Sequence, residues 1–136
     1  MRYIGIDYGL RRVGLAICDA GETIVSPLQC VSWKPPQAGG LLARLGAIIA
    51  ETGAEALVVG LPLNMDGSEG EQARLTRVFG KALTAATGLT VHYQDERLSS
   101  ETADAMLAES GLSDKKRRAK RDMLAACTIL GDFLGH

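Results

Sequence analysis

Aromatic residues are scarce: Trp, Tyr and Phe together make up 4% of the 136 residues. A core must then be built from Val, Ile, Leu and Ala, and extensive stacking on nucleic-acid bases is not indicated. Cysteine is sparse as well. Cys18, Cys30 and Cys127 stand far apart in apolar surroundings, with no Cys-x-x-Cys or Cys/His spacing, so a zinc site is not expected. An odd number of buried-looking thiols suits a reducing compartment. No apolar run approaches the roughly 20 residues that span a bilayer. Met1-Arg2 leads straight into a strand pattern, so no secretory leader is expected either. The formal net charge is only −1, which by itself points to no polyanionic partner, although a neutral total can hide a local basic patch.

What is present suits one domain over residues 1–136, with 46% hydrophobic residues to build its core. Residues 2–7 and 13–19 read as strands around a tight turn, and Thr23 to Val31 as a third strand after the Asp19-Ala20-Gly21-Glu22 turn. Trp33-Lys34-Pro35-Pro36 interrupts this antiparallel meander, because proline offers no ladder donor. Leu41, Leu42, Leu45, Ile48 and Ile49 then follow helical spacing, with Gly53 placed to end the helix. Ala56 to Val59 is the short continuous apolar run of a strand covered on both faces. Gly60 to Gly67 reads as a loop. Ser68 with Glu71 forms a capping-box pattern for a second helix that runs to about Thr87 and stops at Gly88. A fifth strand covers Leu89 to Tyr93, and Ser99 to Gly111 reads as a third helix. A last helix carries Asp122, Ala126, Ile129, Leu130 and Phe133. The expected fold class is α/β: a five-stranded mixed sheet, three antiparallel strands plus two parallel, with helices on both faces.

In such sheets, ligands gather beyond the carboxyl ends of the parallel strands. Asp7, the 60–67 loop and Asp95-Glu96 fall there. An Asp between Gly5 and Gly9 also suits a plain turn. Consecutive strand residues point to opposite faces, so only one of Asp95 and Glu96 can share a face with Asp7, and Glu96 is favoured. Asp122 borders the apolar stripe of its helix; read alone, it could equally pair with Arg118 at i−4. Carboxylates brought together repel, and a divalent cation turns that penalty into binding. Two Mg2+ or Mn2+ ions, roughly 3.5–4 Å apart, would suit phosphodiester hydrolysis.

Cations flank these acids. Arg11 and Arg12 follow Asp7, and Lys115, Lys116, Arg117, Arg118, Lys120 and Arg121 precede Asp122. They can hold a polyanion, although such a run also suits a solvated loop. Backbone N–H groups of the 60–67 loop, with Asn64 inside it, could receive a phosphate. His92 sits in an apolar strand and reads as structural.

Taken as a set, the motifs resemble the YqgF family of RNase H-like proteins. Gly5-Ile6-Asp7-Tyr8-Gly9 with Arg11-Arg12-Val13-Gly14-Leu15-Ala16 is similar to its opening, and Val58 to Gly67 to its second signature. Asp95-Glu96-Arg97-Leu98-Ser99-Ser100 resembles the third, and Asp122 with Ala125-Ala126 and Ile129-Leu130 the C-terminal helix. The likeness spans nearly the whole chain in the right order. It implies a single RNase H-like nuclease domain, cytoplasmic, maturing the 5′ end of pre-16S rRNA. It also implies a catalytic and metal-binding triad on Asp7, Glu96 and Asp122. Nucleic-acid contacts are expected from Arg11, Arg12, Asn64, Arg97, Lys115, Lys116, Arg118, Lys120 and Arg121, in a monomer or a homodimer. The competing readings are a Holliday-junction resolvase using the same acids, and a non-catalytic RNA-binding or transcription-associated module. An actin-like ATPase shares the Asp-x-Gly turn but needs two such domains.

Overall fold

The computed structural model describes residues 1–33, 38–96 and 113–136. In chain order these form β1 (Tyr3–Tyr8), β2 (Arg12–Cys18), β3 (Val25–Ser32), α1 (Ala38–Thr52), β4 (Ala56–Leu61), α2 (Glu71–Thr87), β5 (Thr90–Asp95) and α3 (Asp114–Leu134). The strands make one sheet in the order β3-β2-β1-β4-β5. β2 pairs antiparallel with β1 and with β3, while β4 pairs parallel with β1 and with β5. The expected mixed sheet is therefore present, and its parallel strands end together at one edge.

Alternation along the strands divides the side chains between two cores. Ile4, Ile6, Val13, Leu15, Leu57 and Val59 face α1 and α2, where they meet Leu41, Leu45, Ile49, Phe79 and Leu83. Ala16, Cys18 and Val58 face α3 and meet Ala126, Ile129 and Leu130. Burying each large aliphatic side chain contributes about 1.5–3 kcal/mol. β4 is buried along its whole length, as its unbroken apolar run predicts.

The α3 face is built for close approach. A Cβ on Gly5 would meet the Ala126 carbonyl oxygen and the Leu130 Cβ, both at 2.7 Å. One on Gly14 would overlap the backbone of Asp122. Missing side chains on β1 and β2 thus let the helix backbone settle onto the sheet.

Several sequence expectations need correction. Gly60 and Leu61 belong to β4 rather than to the following loop, and β5 starts at Thr90 and extends to Asp95. Ser68 does not cap α2. Its N–H and hydroxyl both donate to Asp66 Oδ1, at 2.9 and 2.6 Å, so a local turn has captured it. Gly70 takes the N-cap position without a side-chain cap bond, and Glu71 pairs with Arg74. The basic run before Asp122 is helical, not a loop: α3 begins at Asp114, with the Ser113 side chain accepting from the Lys116 N–H. The helix expected over Ser99 to Gly111, and Arg97, lie outside the described residues.

β3 is an outer strand with an irregularity. Its pairing with β2 shifts between Leu15 and Ala16, whose partners are Gln29 and Pro27, leaving Leu28 as an extra residue. Among the described residues, no helix is long and apolar enough to cross a membrane.

Candidate active site at the carboxyl edge of the sheet

Asp7 lies near the end of β1 on the α3 side, because its neighbours Ile6 and Tyr8 pack toward α2. Glu96 directly follows β5, and its N–H donates to the Leu61 carbonyl at the end of β4 (3.3 Å). That bond continues the parallel ladder by one residue and turns the Glu96 side chain onto the face of Asp7. The two carboxyls are hydrogen-bonded to each other. Gly60 makes room, since a Cβ there would collide with the Glu96 carboxyl and with Ile129.

Two half-buried carboxyls in contact cannot both ionise cheaply. Burial, and then the charge of Asp7, push Glu96 up to about 8. Burial, and then the charge of Asp122, raise Asp7 to about 6 despite relief from Glu96, Arg121 and Arg12. Both shifts run upward, so the pair holds a proton more firmly than two free carboxyls would. Asp95 points to the other face but is close enough for its charge to add to the rise at Glu96.

Asp122 is buried at 7% exposure on α3. Its partner is not Arg118, which is exposed. Arg12 Nε donates to Asp122 Oδ2 at 2.7 Å, across 110 residues of chain. Arg121 Nη2 lies 3.8 Å from Oδ1. Cys30 is also here: its thiol approaches Asp122 Oδ2 at 4.0 Å, so the apolar surroundings expected for all the cysteines do not hold for this one. Burial and the Asp122 charge both raise the Cys30 thiol.

Sequence reasoning missed Arg12 as a partner of Asp122 and put Cys30 in apolar surroundings instead of beside that acid. Arg12 had a usable signal. Arg12, Gly14, Ala16 and Cys18 alternate along β2, and the small residues in that row mark the face a helix can approach. Cys30 had none, because it reaches this row only through its pairing with Gly14.

The remaining expected contacts are more dispersed. Arg11, Lys115, Lys116, Arg118 and Lys120 are exposed. Asn64 is tied into the loop after β4, its side-chain amide donating to Ser68 Oγ at 3.0 Å. His92 packs against Tyr3 and Phe133 and takes no part in the site.

Asp7, Glu96 and Asp122 together offer hard oxygen donors, the set Mg2+ and Mn2+ take. Asp7 and Glu96 fit a cation as they stand, since one would relieve the repulsion that now traps a proton. Asp122 fits once Arg12 yields Oδ2. Among the described residues no group of three or more His, Cys, Asp or Glu stands as a metal cluster.

Comparison with known proteins extends over the whole chain. The sequence is 43% identical over 134 residues to a protein of Anaeromyxobacter sp. (strain Fw109-5) named "Putative pre-16S rRNA nuclease", covering 98% of this chain and 96% of the relative. A protein of the same name from Chloroflexus aurantiacus is 39% identical over 131 residues, covering 96% of this chain and 84% of the relative. Among solved structures, Thermus thermophilus RuvC aligns with TM-score 0.59 at 16% identity, covering 99% of this chain and 97% of that one. A Fowlpox virus resolvase bound to Holliday junction DNA aligns with TM-score 0.60 at 10% identity, with the same coverage of 99% and 97%. These likenesses show a shared RNase H-like fold. The family described as "RuvX: Holliday junction resolvase" matches residues 1–136, so the chain belongs to that family.

Proposed function

We propose that the chain is a single RNase H-like nuclease domain over residues 1–136 that matures the 5′ end of pre-16S rRNA in the cytoplasm. It does so by metal-dependent hydrolysis of phosphodiester bonds. One observation carries the reading: the buried carboxyls of Asp7 and Glu96 lie in hydrogen-bond contact beside the ion-paired Asp122. Such a cluster costs stability, and a bound divalent cation is the usual reason to keep it. The names of the full-length relatives support RNA as substrate.

In this reading Asp7, Glu96 and Asp122 are the ligands of Mg2+ or Mn2+. Bound there, one or two such ions would supply an activated water and charge for the leaving oxygen. The chain's own residues do the rest. Glu96 would hold the metal in its ionised form, with Asp7 beside it. Arg11, Lys115, Lys116, Arg118 and Lys120 stand exposed where a nucleic-acid backbone can meet them. Arg12, Arg121, Asn64 and Arg97 complete the proposed contacts. The scarcity of aromatics fits recognition of backbone and shape over base stacking.

The test is cleavage of a precursor-rRNA fragment with Mg2+ or Mn2+, wild type against Asp7→Asn. We expect at least a roughly 100-fold loss of rate in the variant, with RNA binding kept. Full activity of the variant would refute the assignment. RNA binding without metal-dependent cleavage in the wild type would instead support a non-catalytic module. The family's own description favours a second reading, resolution of branched DNA. A four-way junction assayed beside the RNA separates the two. Mass in solution adds weight, because paired incisions need a symmetric dimer whereas RNA trimming needs only a monomer.

A further inference from the structure

Arg12, unlike the exposed Arg11 beside it, is engaged inside the site before any phosphate arrives. Its side chain is 26% exposed, and its Nε is spent on Asp122 Oδ2 at 2.7 Å. The turn that carries it is tied on both sides. The Gly9 N–H donates to the Arg12 carbonyl (3.0 Å), and the Trp33 N–H donates to that of Arg11 (2.9 Å). Trp33 Nε1 donates to the Gly9 carbonyl (3.0 Å). The backbone of Arg12 is therefore fixed, and only its side chain is free to swing.

Charge in the site is compensated in two separate ways. Asp7 and Glu96 are hydrogen-bonded to each other, whereas Asp122 faces arginine at both oxygens, Arg12 at Oδ2 and Arg121 at Oδ1. A cation ligated by all the acids has to break into the second arrangement. Whatever free energy Asp122 draws from Arg12 is subtracted from what it can give a metal, and the coupling is reciprocal.

We propose that Arg12 is the resident counter-cation of Asp122: a positioning residue that holds the helix-borne carboxylate in the site and yields it when a divalent cation binds. The proposal rests on the metal-dependent reading above. Arg12 then acts before the reaction rather than in it. Its released guanidinium, still anchored at the turn, lies beside the site with free donors that match a phosphate.

The experiment is calorimetric titration of Mn2+ into full-length wild type, Arg12→Gln and Arg12→Lys at fixed pH and salt, with melting curves in EDTA alongside. We expect Arg12→Gln to bind Mn2+ about tenfold more tightly than wild type, and Arg12→Lys to stay near wild type. In EDTA Arg12→Gln should melt lower than wild type, with Mn2+ restoring it. A second measurement needs no substitution: the Arg12 Nε–H resonance of the wild type should shift on saturation with Mg2+. Mn2+ uptake equal to or weaker than wild type in a cooperatively melting Arg12→Gln overturns this proposal alone, as does an Arg12 resonance unmoved by saturating Mg2+. Absence of uptake in both wild type and Arg12→Gln overturns it together with the metal-dependent reading.

Discussion

Gly14 lies directly beneath the backbone of Asp122, so close that a Cβ on it would overlap the Asp122 carbonyl. The same glycine pairs with Asp7 on one side and with Cys30 on the other. One cross-strand row therefore seats the helix-borne acid between two strands.

Gly14→Ala should accordingly act on stability and on the site together. The obstruction is backbone, which cannot rotate away, so α3 must lift. We expect a loss of about 3 kcal/mol by urea unfolding, with cleavage falling further than stability accounts for. Gly60→Ala is the contrasting case. It would push on the Glu96 side chain and on Ile129 rather than on backbone, so the fold should suffer less while cleavage still falls.

The carboxyl pair of Asp7 and Glu96 makes stability depend on pH. Glu96 and Asp7 have folded-state values raised above the ordinary carboxylate range, to about 8 and about 6. The unfolded chain ionises first as pH rises, so the folded state loses ground from about pH 4 through about pH 8. In EDTA, Tm should fall by about 5 °C or more between pH 5 and pH 9. Glu96→Gln, which mimics the protonated carboxyl, should flatten that slope. In the wild type, Mg2+ binding at pH 7 should release roughly one proton, seen as a dependence of titration heat on buffer, and the release should vanish by pH 9.

The exposed cations of α3 should govern affinity for nucleic acid without governing chemistry. Changing Lys115, Lys116, Arg118 and Lys120 to Ala should weaken RNA binding and reduce its salt dependence. The log–log slope should drop by about 0.7 for each single-strand phosphate that is no longer neutralised. Cleavage at saturating RNA should change little. An unchanged slope would place the RNA elsewhere.

Much of this arrangement is legible in the chain because strands impose a period of two. Alternation from Ile4 to Tyr8 puts Asp7 opposite the aliphatic core. The same alternation separates Asp95 from Glu96 and chooses the one that reaches Asp7. Asp122, Ala126 and Ile129 are legible through the helical period. What escaped involves competition or long-range pairing. Ser68 satisfies a capping pattern, yet Asp66 two residues earlier offers it a nearer acceptor. The small-residue row of β2 marks the face of Arg12, but its pairing with Asp122 follows only once α3 is known to lie across Gly14. Cys30 joins the site through strand register alone.

Pro27 and the surplus residue Leu28 on β3 bear on how this molecule meets others. That border of the sheet lacks one backbone donor and is kinked where a newcomer would have to zip alongside, so lengthening the sheet there by recruiting a foreign strand is disfavoured. Strand pairing between copies would then fall to the other outer strand, β5, which runs directly into Glu96, or give way to side-chain contacts.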